Sequence, residues 1–382
     1  MILIDNAKLV LETGIVWDGQ LLTDGGRIAA FGERGSFGIP ADAERIDAGG
    51  MYLGPGFVDI HVHGGGGHFF HEDPEKAAAH FLSHGETSIL ATLYYDLSKD
   101  DFLAAIDRVK TAMQTDGAAS AIRGFYMEGP YMNPKYGGNP DKNQWRGEIR
   151  PEDFMQLVDR AGALARVWAV APERDGLEPF LAYARHQNPN VIFAVGHSEA
   201  TPEQIRALKH YGIRIQTHCM NATSSKSQWV GTRGCGPDEA CLTDPDMYAE
   251  MISDSMGIHV NPVLQRLILN AKGIDKVILI SDSFVSEQPS PEGLRHVTDL
   301  CFDANGLLAG SRLTLDVACR NLMHHTSCGI AEAFLLASRN PARAVGLYRE
   351  VGSLAVGKRA DLVIVDDQFH VRHVLLDGKL RK

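Results

Sequence analysis

Gly54-Pro55-Gly56-Phe57-Val58-Asp59-Ile60-His61-Val62-His63-Gly64-Gly65 joins a short apolar, β-branched run to glycines on both sides. It describes a buried strand delivering two histidines into a glycine-rich loop. Residues two apart on a strand point the same way, so His61 and His63 share a face, and imidazole is the commonest protein ligand for a metal.

Outward from this strand, apolar runs of strand length alternate with amphipathic runs of helical length, the pattern of parallel βα units. Eight strands are predicted: Val58–His63, Ser88–Thr92, Ile122–Met127, Val167–Ala171, Val191–Gly196, Arg214–Thr217, Met247–Ile252 and Val277–Ser281. Helices are predicted at Glu75–His84, Asp100–Gln114, Glu152–Leu164, Leu177–His186, Pro202–Tyr211, Val263–Ala271, Leu315–Thr326 and Ile330–Ala337. Eight such units fit a (β/α)8 TIM barrel better than an open doubly wound sheet, and Gly64-Gly65-Gly66-Gly67 lacks the spacing of a dinucleotide-binding turn. Short strands at Leu9–Leu11, Ile15–Trp17 and Arg27–Phe31 precede the barrel, and similar signals return at Ala360–Asp366 and Val371–Leu376. The expected organisation is a barrel over residues 54–349 and a small discontinuous β-sandwich from residues 1–53 and 350–382.

The chain has 382 residues, 44% hydrophobic and 22% charged, with a formal charge of −11. No Lys/Arg run counters that charge, which argues against a nucleic-acid or anionic-membrane surface. The six cysteines show no CxxC spacing, so reduced, cytoplasmic thiols are expected. No leader is read in Met1 to Glu12, and no apolar run is long enough to span a membrane.

In barrels of this kind the chemistry sits at the carboxyl ends of the strands. His61 and His63 end the first strand, Glu128 the third, His197 the fifth, His218 the sixth, Asp254 the seventh and Asp282 the eighth. Imidazoles and carboxylates from different strands suit a catalytic Zn²⁺ or Fe²⁺ site with one position left open. Asp282 is the candidate proton shuttle for the attacking water. A role as helix cap is opposed by Pro289 and Pro291, which postpone any helix.

Pro55-Gly56-Phe57-Val58-Asp59, Glu128-Gly129-Pro130, Gly196-His197-Ser198-Glu199-Ala200-Thr201, Thr217-His218 with Asn221-Ala222, Gly257-Ile258-His259-Val260, Ser281-Asp282 and Gly310-Ser311-Arg312-Leu313-Thr314 together resemble the N-acetylglucosamine-6-phosphate deacetylase family of the amidohydrolase superfamily. The resemblance runs nearly end to end. It implies a TIM barrel with a flanking β-sandwich, and deacetylation of a small amino-sugar phosphate. It further implies metal ligands at Glu128, His197 and His218, with Asp282 as acid and base. His61 and His63 match the pair that lets some members hold a second divalent ion, so one or two ions per subunit are implied. For the substrate phosphate it points to the backbone at Asn221 and Ala222, to His259, and to Arg233, an arginine often supplied by the partner of a homodimer. Asn139 stands where the family has the His or Gln of a Gly-Ala-His or Gly-Ala-Gln turn. The loop from Thr223 to Leu242 is longer than in the family pattern.

Other substrates for the same barrel are N-acetylgalactosamine 6-phosphate, another acylated amino sugar, or a non-sugar amide. A catalytically silent binding barrel would have lost a ligand or the acid/base, and none is lost. No lysine follows Val167–Ala171, which disfavours ring hydrolases that place a carboxylated bridging lysine there.

Overall fold

The computed structural model describes residues 1–137, 142–225, 227 and 229–382. Eight parallel strands, Phe57–Val62, Glu86–Tyr94, Ile122–Glu128, Ala165–Val170, Ile192–Val195, Ile213–Gln216, Tyr248–Ile252 and Val277–Ile280, each pair with the strand before them in the chain. The first and last strands meet at their carboxyl ends. There the Asp282 N–H donates to the His61 carbonyl at 2.9 Å, and the His63 N–H to the Ser283 carbonyl at 2.9 Å. The sheet thus curls into the expected barrel.

Its strands are near-continuous apolar runs because both faces are covered. Every residue of Phe57–Val62 is buried. Helices form the outer layer and begin on local signals: Asp73 and Ser98 accept backbone N–H groups, Thr201 and Gln204 make a capping box, and Pro74, Pro151, Pro202 and Pro262 occupy first turns. Lys99–Ala112 shows the resulting division, burying Phe102, Ala105, Ile106 and Val109.

A second, mixed sheet joins both ends of the chain. Tyr52–Pro55 pairs antiparallel with Leu362–Val365, with Leu362 opposite Pro55. Ile4, Leu9, Leu21, Leu53, Leu362 and Leu375 fill a separate core beneath it. Tyr52–Pro55 runs directly into the first barrel strand, so this sheet fixes the entry of the strand that carries His61 and His63.

The amino-terminal strands are longer than expected, Ile2–Leu11, Gly14–Asp24 and Arg27–Glu33, because ladder pairing extends through polar positions. The segment taken as a long loop contains a helix, Pro237–Thr243, whose seven residues are too few for a periodic signal. A hairpin of Leu300–Phe302 with Leu308–Ser311 was also not anticipated.

Asn340 anchors the last barrel strand: its buried carboxamide donates to the carbonyls of Ile274 and Val277, both at 2.7 Å. Asn340→Ala leaves both carbonyls without that donor, at about 1–3 kcal/mol for buried unsatisfied groups. The expected result is a lower urea midpoint with an unchanged m-value.

Candidate metal centre

Of the strand-end residues singled out above, all but Asp254 turn toward one centre. His61, His63, Glu128, His197, His218 and Asp282 are all buried. Two groups of ligand atoms, His61 with His63 and Glu128, and Glu128 with His197 and His218, each lie within 4.8 Å of one another. Glu128 Oε1 is 2.9 Å from His197 Nε2 and 3.3 Å from His218 Nε2, while Oε2 is 3.2 Å from His63 Nε2. Asp282 Oδ1 stands 3.3 Å from His63 Nε2 and 3.5 Å from His61 Nε2.

The backbone aims these side chains at some conformational cost. His197, His218 and Asp282 have φ of 46°, 27° and 48°, in the left-handed region that non-glycine residues seldom adopt. Such strain gathers where surrounding structure over-determines a functional geometry. Met220 and Ala222, at 66° and 49°, continue it into the turn after His218. Asp238 holds that turn, accepting the Met220 N–H at 2.8 Å and the Thr223 hydroxyl at 2.5 Å.

Outer partners decide which ring nitrogens face inward. Glu250, fully buried, takes the His61 Nδ1–H at 3.1 Å and the His218 backbone N–H at 3.2 Å. A carboxylate can only accept, so Nδ1 carries the hydrogen and Nε2 of His61 presents a lone pair. His218 Nδ1 likewise donates to the Asn221 carbonyl at 3.1 Å, leaving its Nε2 lone pair 3.1 Å from His197 Nε2. Buried lone pairs brought this close call for a cation between them. His61 Nε2, His63 Nδ1 and His197 Nδ1 also lack hydrogen-bond partners among the described residues. Imidazole and carboxylate donors in this number fit a divalent metal.

Where no ion sits between these groups, protons on the imidazoles supply the positive charge instead. Burial would push the Glu128 carboxyl up, but the charge of His61 and hydrogen bonds from His197 and His218 outweigh it and hold Glu128 well below the ordinary carboxylate range. Burial also works against Asp282, and the His63 hydrogen bond with the His61 charge overcomes it, so Asp282 is lowered and stays ionised. His61 is raised, since Glu128, Glu250 and Asp282 outweigh its burial; His197 is lowered, because burial and the neighbouring His218 prevail over Glu128.

The centre opens into a cavity of about 390 Å³ whose lining includes the ring cluster of His63, Tyr94 and Phe284 together with Lys135, Lys142 and Asn221. Burial pushes the wall residue Asp96 up to about 6. Three expected contacts are placed differently from their neighbours. His259 lies behind the wall, its ring between Asp254 Oδ2 and the Gly310 carbonyl, each at 3.0 Å. Asp254 serves that loop and stands apart from the metal groups, accepting the His259 N–H at 2.8 Å. Arg233 is outside the cavity; its side chain is 78% exposed and pairs with Glu239 at 2.6 Å. Asn139 lies outside the described residues. Sequence reasoning missed Glu250 and Asp238, although a lone carboxylate inside the apolar run Ala249-Glu250-Met251-Ile252 is a legible signal for the first.

The model of the amidohydrolase family matches residues 52–381. An N-acetylgalactosamine-6-phosphate deacetylase from Escherichia coli O157:H7 is 33% identical, over 98% of this chain and 97% of its own length. An N-acetylglucosamine-6-phosphate deacetylase from Bacillus subtilis is 28% identical, over 99% and 96%. Among solved structures, a mutant N-acetyl-D-glucosamine-6-phosphate deacetylase from Mycobacterium smegmatis in complex with N-acetyl-D-glucosamine-6-phosphate superposes with a TM-score of 0.85 at 29% identity, covering 99% of this chain and 98% of that one. The enzyme of that name from Pasteurella multocida gives 0.86 at 25%, covering 100% and 99%.

The two ligand groups differ in what they need. Glu128, His197 and His218 form a complete set without the first strand, so His197→Ala and His218→Ala are each expected to lose tightly held metal. Replacing His61 and His63 together should remove at most one of two ions. Metal content of the purified variants, read by elemental analysis, checks the division; equal and total loss in all of them contradicts it.

Proposed function

Since the chain belongs to the amidohydrolase family, we propose that it hydrolyses the acetamide of an N-acetylated hexosamine 6-phosphate, releasing acetate and the free amino sugar, with N-acetylglucosamine 6-phosphate the first substrate to test. One observation carries this reading: buried carboxylate and imidazole ligands converge with Asp282 at the floor of a single cavity. The relatives' names give the substrate class, and the 33% identity to a galactosamine-type enzyme makes N-acetylgalactosamine 6-phosphate the second reading.

Glu128, His197 and His218 would hold the ion, with His61 and His63 able to hold another; the group supplies a Lewis acid that polarises the amide carbonyl and acidifies water. Asp282, ionised and facing the same space, takes a proton from the attacking water and returns it to the amide nitrogen as the C–N bond breaks. Glu250 keeps His61 in the tautomer that turns Nε2 inward, and the His218–Asn221 bond does the same for its ring. The amine departs neutral because Asp282 has supplied its proton, and acetate is the other product.

With a formal charge of −11, the protein's global field does not favour a phosphate dianion, so local donors must. The backbone at Asn221 and Ala222 and Lys142 on the cavity wall are the set that reaches the phosphate, with His259 bracing the wall from behind Gly310. Asn221 Nδ2 donates to the His259 carbonyl at 3.2 Å, which ties the turn to the His259 loop. Arg233 enters this site only from the second subunit of a homodimer, consistent with its exposure and with its place outside its own cavity.

Asp282→Asn should keep metal and fold while turnover falls by about 10²–10⁴, the usual worth of general acid–base catalysis. Near-normal turnover would make Asp282 structural. Charge-assisted hydrogen bonds of about 1.5–3 kcal/mol each imply that removing the phosphate from the substrate costs at least about a hundredfold in kcat/KM. His259→Ala should penalise the phosphorylated substrate far more than its unphosphorylated analogue. An enzyme that treats both alike has no phosphate site and acts on another amide. The gluco and galacto epimers, assayed side by side, separate the two readings.

A further inference from the structure

Phe284 stands between two chambers. It lines the 390 Å³ cavity of the metal centre and also a neighbouring one of about 340 Å³ bounded by Gly65, Gly66, His80, Ser286 and Arg312. It is the one side chain, among the described residues, common to both walls. Its ring meets those of His63, Tyr94 and Phe69 edge to face, with centroids 5.4, 5.3 and 4.9 Å apart. His63 and Tyr94 are themselves edge to face at 5.1 Å. The ring cluster is pinned from behind: the Phe284 N–H donates to the Ser311 carbonyl at 2.9 Å. Gly310 makes room for it, since a Cβ there would sit 2.9 Å from the Phe284 Cβ.

An amide that reaches Glu128 and Asp282 projects two arms into the cavity. A sugar arm, rich in hydroxyls, is matched by Lys135, Lys142, Asp96 and Asn221; an acyl arm is matched by the aromatic side. That side ends at Phe284, a few ångströms from His63, and the space beyond it is open. We infer that Phe284 sets the length of acyl group accepted, its ring acting as a partition that admits acetyl and excludes longer chains from the second chamber. The inference rests on the deacylase reading above and names the residue that limits its acyl specificity.

The test is a series of N-acetyl, N-propionyl, N-butyryl and N-hexanoyl glucosamine 6-phosphates, assayed for kcat/KM on wild type, Phe284→Leu and Phe284→Ala. Each methylene moved into apolar surroundings is worth about fourfold, so two give roughly fifteenfold. Wild type should favour acetyl over butyryl by at least about tenfold. Phe284→Ala should raise the butyryl-to-acetyl ratio by a similar factor, mostly through KM, with Phe284→Leu between. Phe284 is only half buried, and the Leu variant keeps an apolar side chain there should the Ala variant fold poorly. Metal content and circular dichroism should match wild type. An unchanged ratio in both variants, or a wild type that takes butyryl as readily as acetyl, overturns the assignment while leaving the deacylase reading intact. A wild type that cleaves neither this series nor its galacto counterparts sinks the deacylase reading and this inference with it.

Discussion

A single buried carboxylate organises the centre of this molecule. Glu128 is only 5% exposed, and four imidazoles approach its two oxygens within 3.5 Å. An ionised carboxylate without such partners would be expelled from the interior or neutralised by a proton. The imidazoles in turn cannot crowd together in the dark of the barrel unless negative charge holds them. Strands from four parts of the chain are therefore tied to one atom group, and the barrel's register becomes a condition of its electrostatics. A one-residue slip in any of these strands would turn its ligand away from the axis and leave charge unpaired on both sides.

The ring closes at the same place. The bond from the Asp282 N–H to the His61 carbonyl joins the last strand to the first, and in doing so sets the Asp282 carboxylate beside the His61–His63 pair. Closure and the ligand cluster share residues here, and the backbone is left-handed at Asp282, as it is at His197 and His218. Residues in that region cost about 1–3 kcal/mol each, and they persist only where neighbours over-determine them. Asp238 and Glu250 are such neighbours, one accepting from the turn after His218 and the other from the His218 backbone itself.

The ligand positions were legible because a strand whose both faces are covered is apolar throughout, so the first polar side chain after it marks the end where function collects. This is why Glu128, His197, His218 and Asp282 could be read from order alone. Glu250 escaped for the complementary reason: it sits inside the apolar run, where a carboxylate is visible but its partner, 189 residues away on the first strand, is not. Arg233 and His259 came from matching a family pattern, and matching cannot say on which side of a wall a side chain lies. His259 faces Asp254 and Gly310, and Arg233 faces Glu239, relations set by tertiary contacts with no local periodicity. The helix Pro237–Thr243 is short enough that its capping by Glu239 carries more signal than its apolar spacing.

Sharing Glu128 between two ligand groups has a physical consequence for how many ions the centre can hold. Oε1 faces His197 and His218, and Oε2 faces His63, so one carboxylate presents an oxygen to each side. Two ions held by these groups would each partly neutralise the carboxylate that the other needs. The first ion would lower the charge available to the second, while Asp282, next to His61 and His63, would restore part of it. Each group reaches three ligands only by counting Glu128, and Asp282 stands next to the group that contains His61 and His63. If Asp282 acts as the proposed acid and base, an ion on the His61–His63 side would compete for Asp282 Oδ1, whereas one on the His197–His218 side would leave that oxygen free.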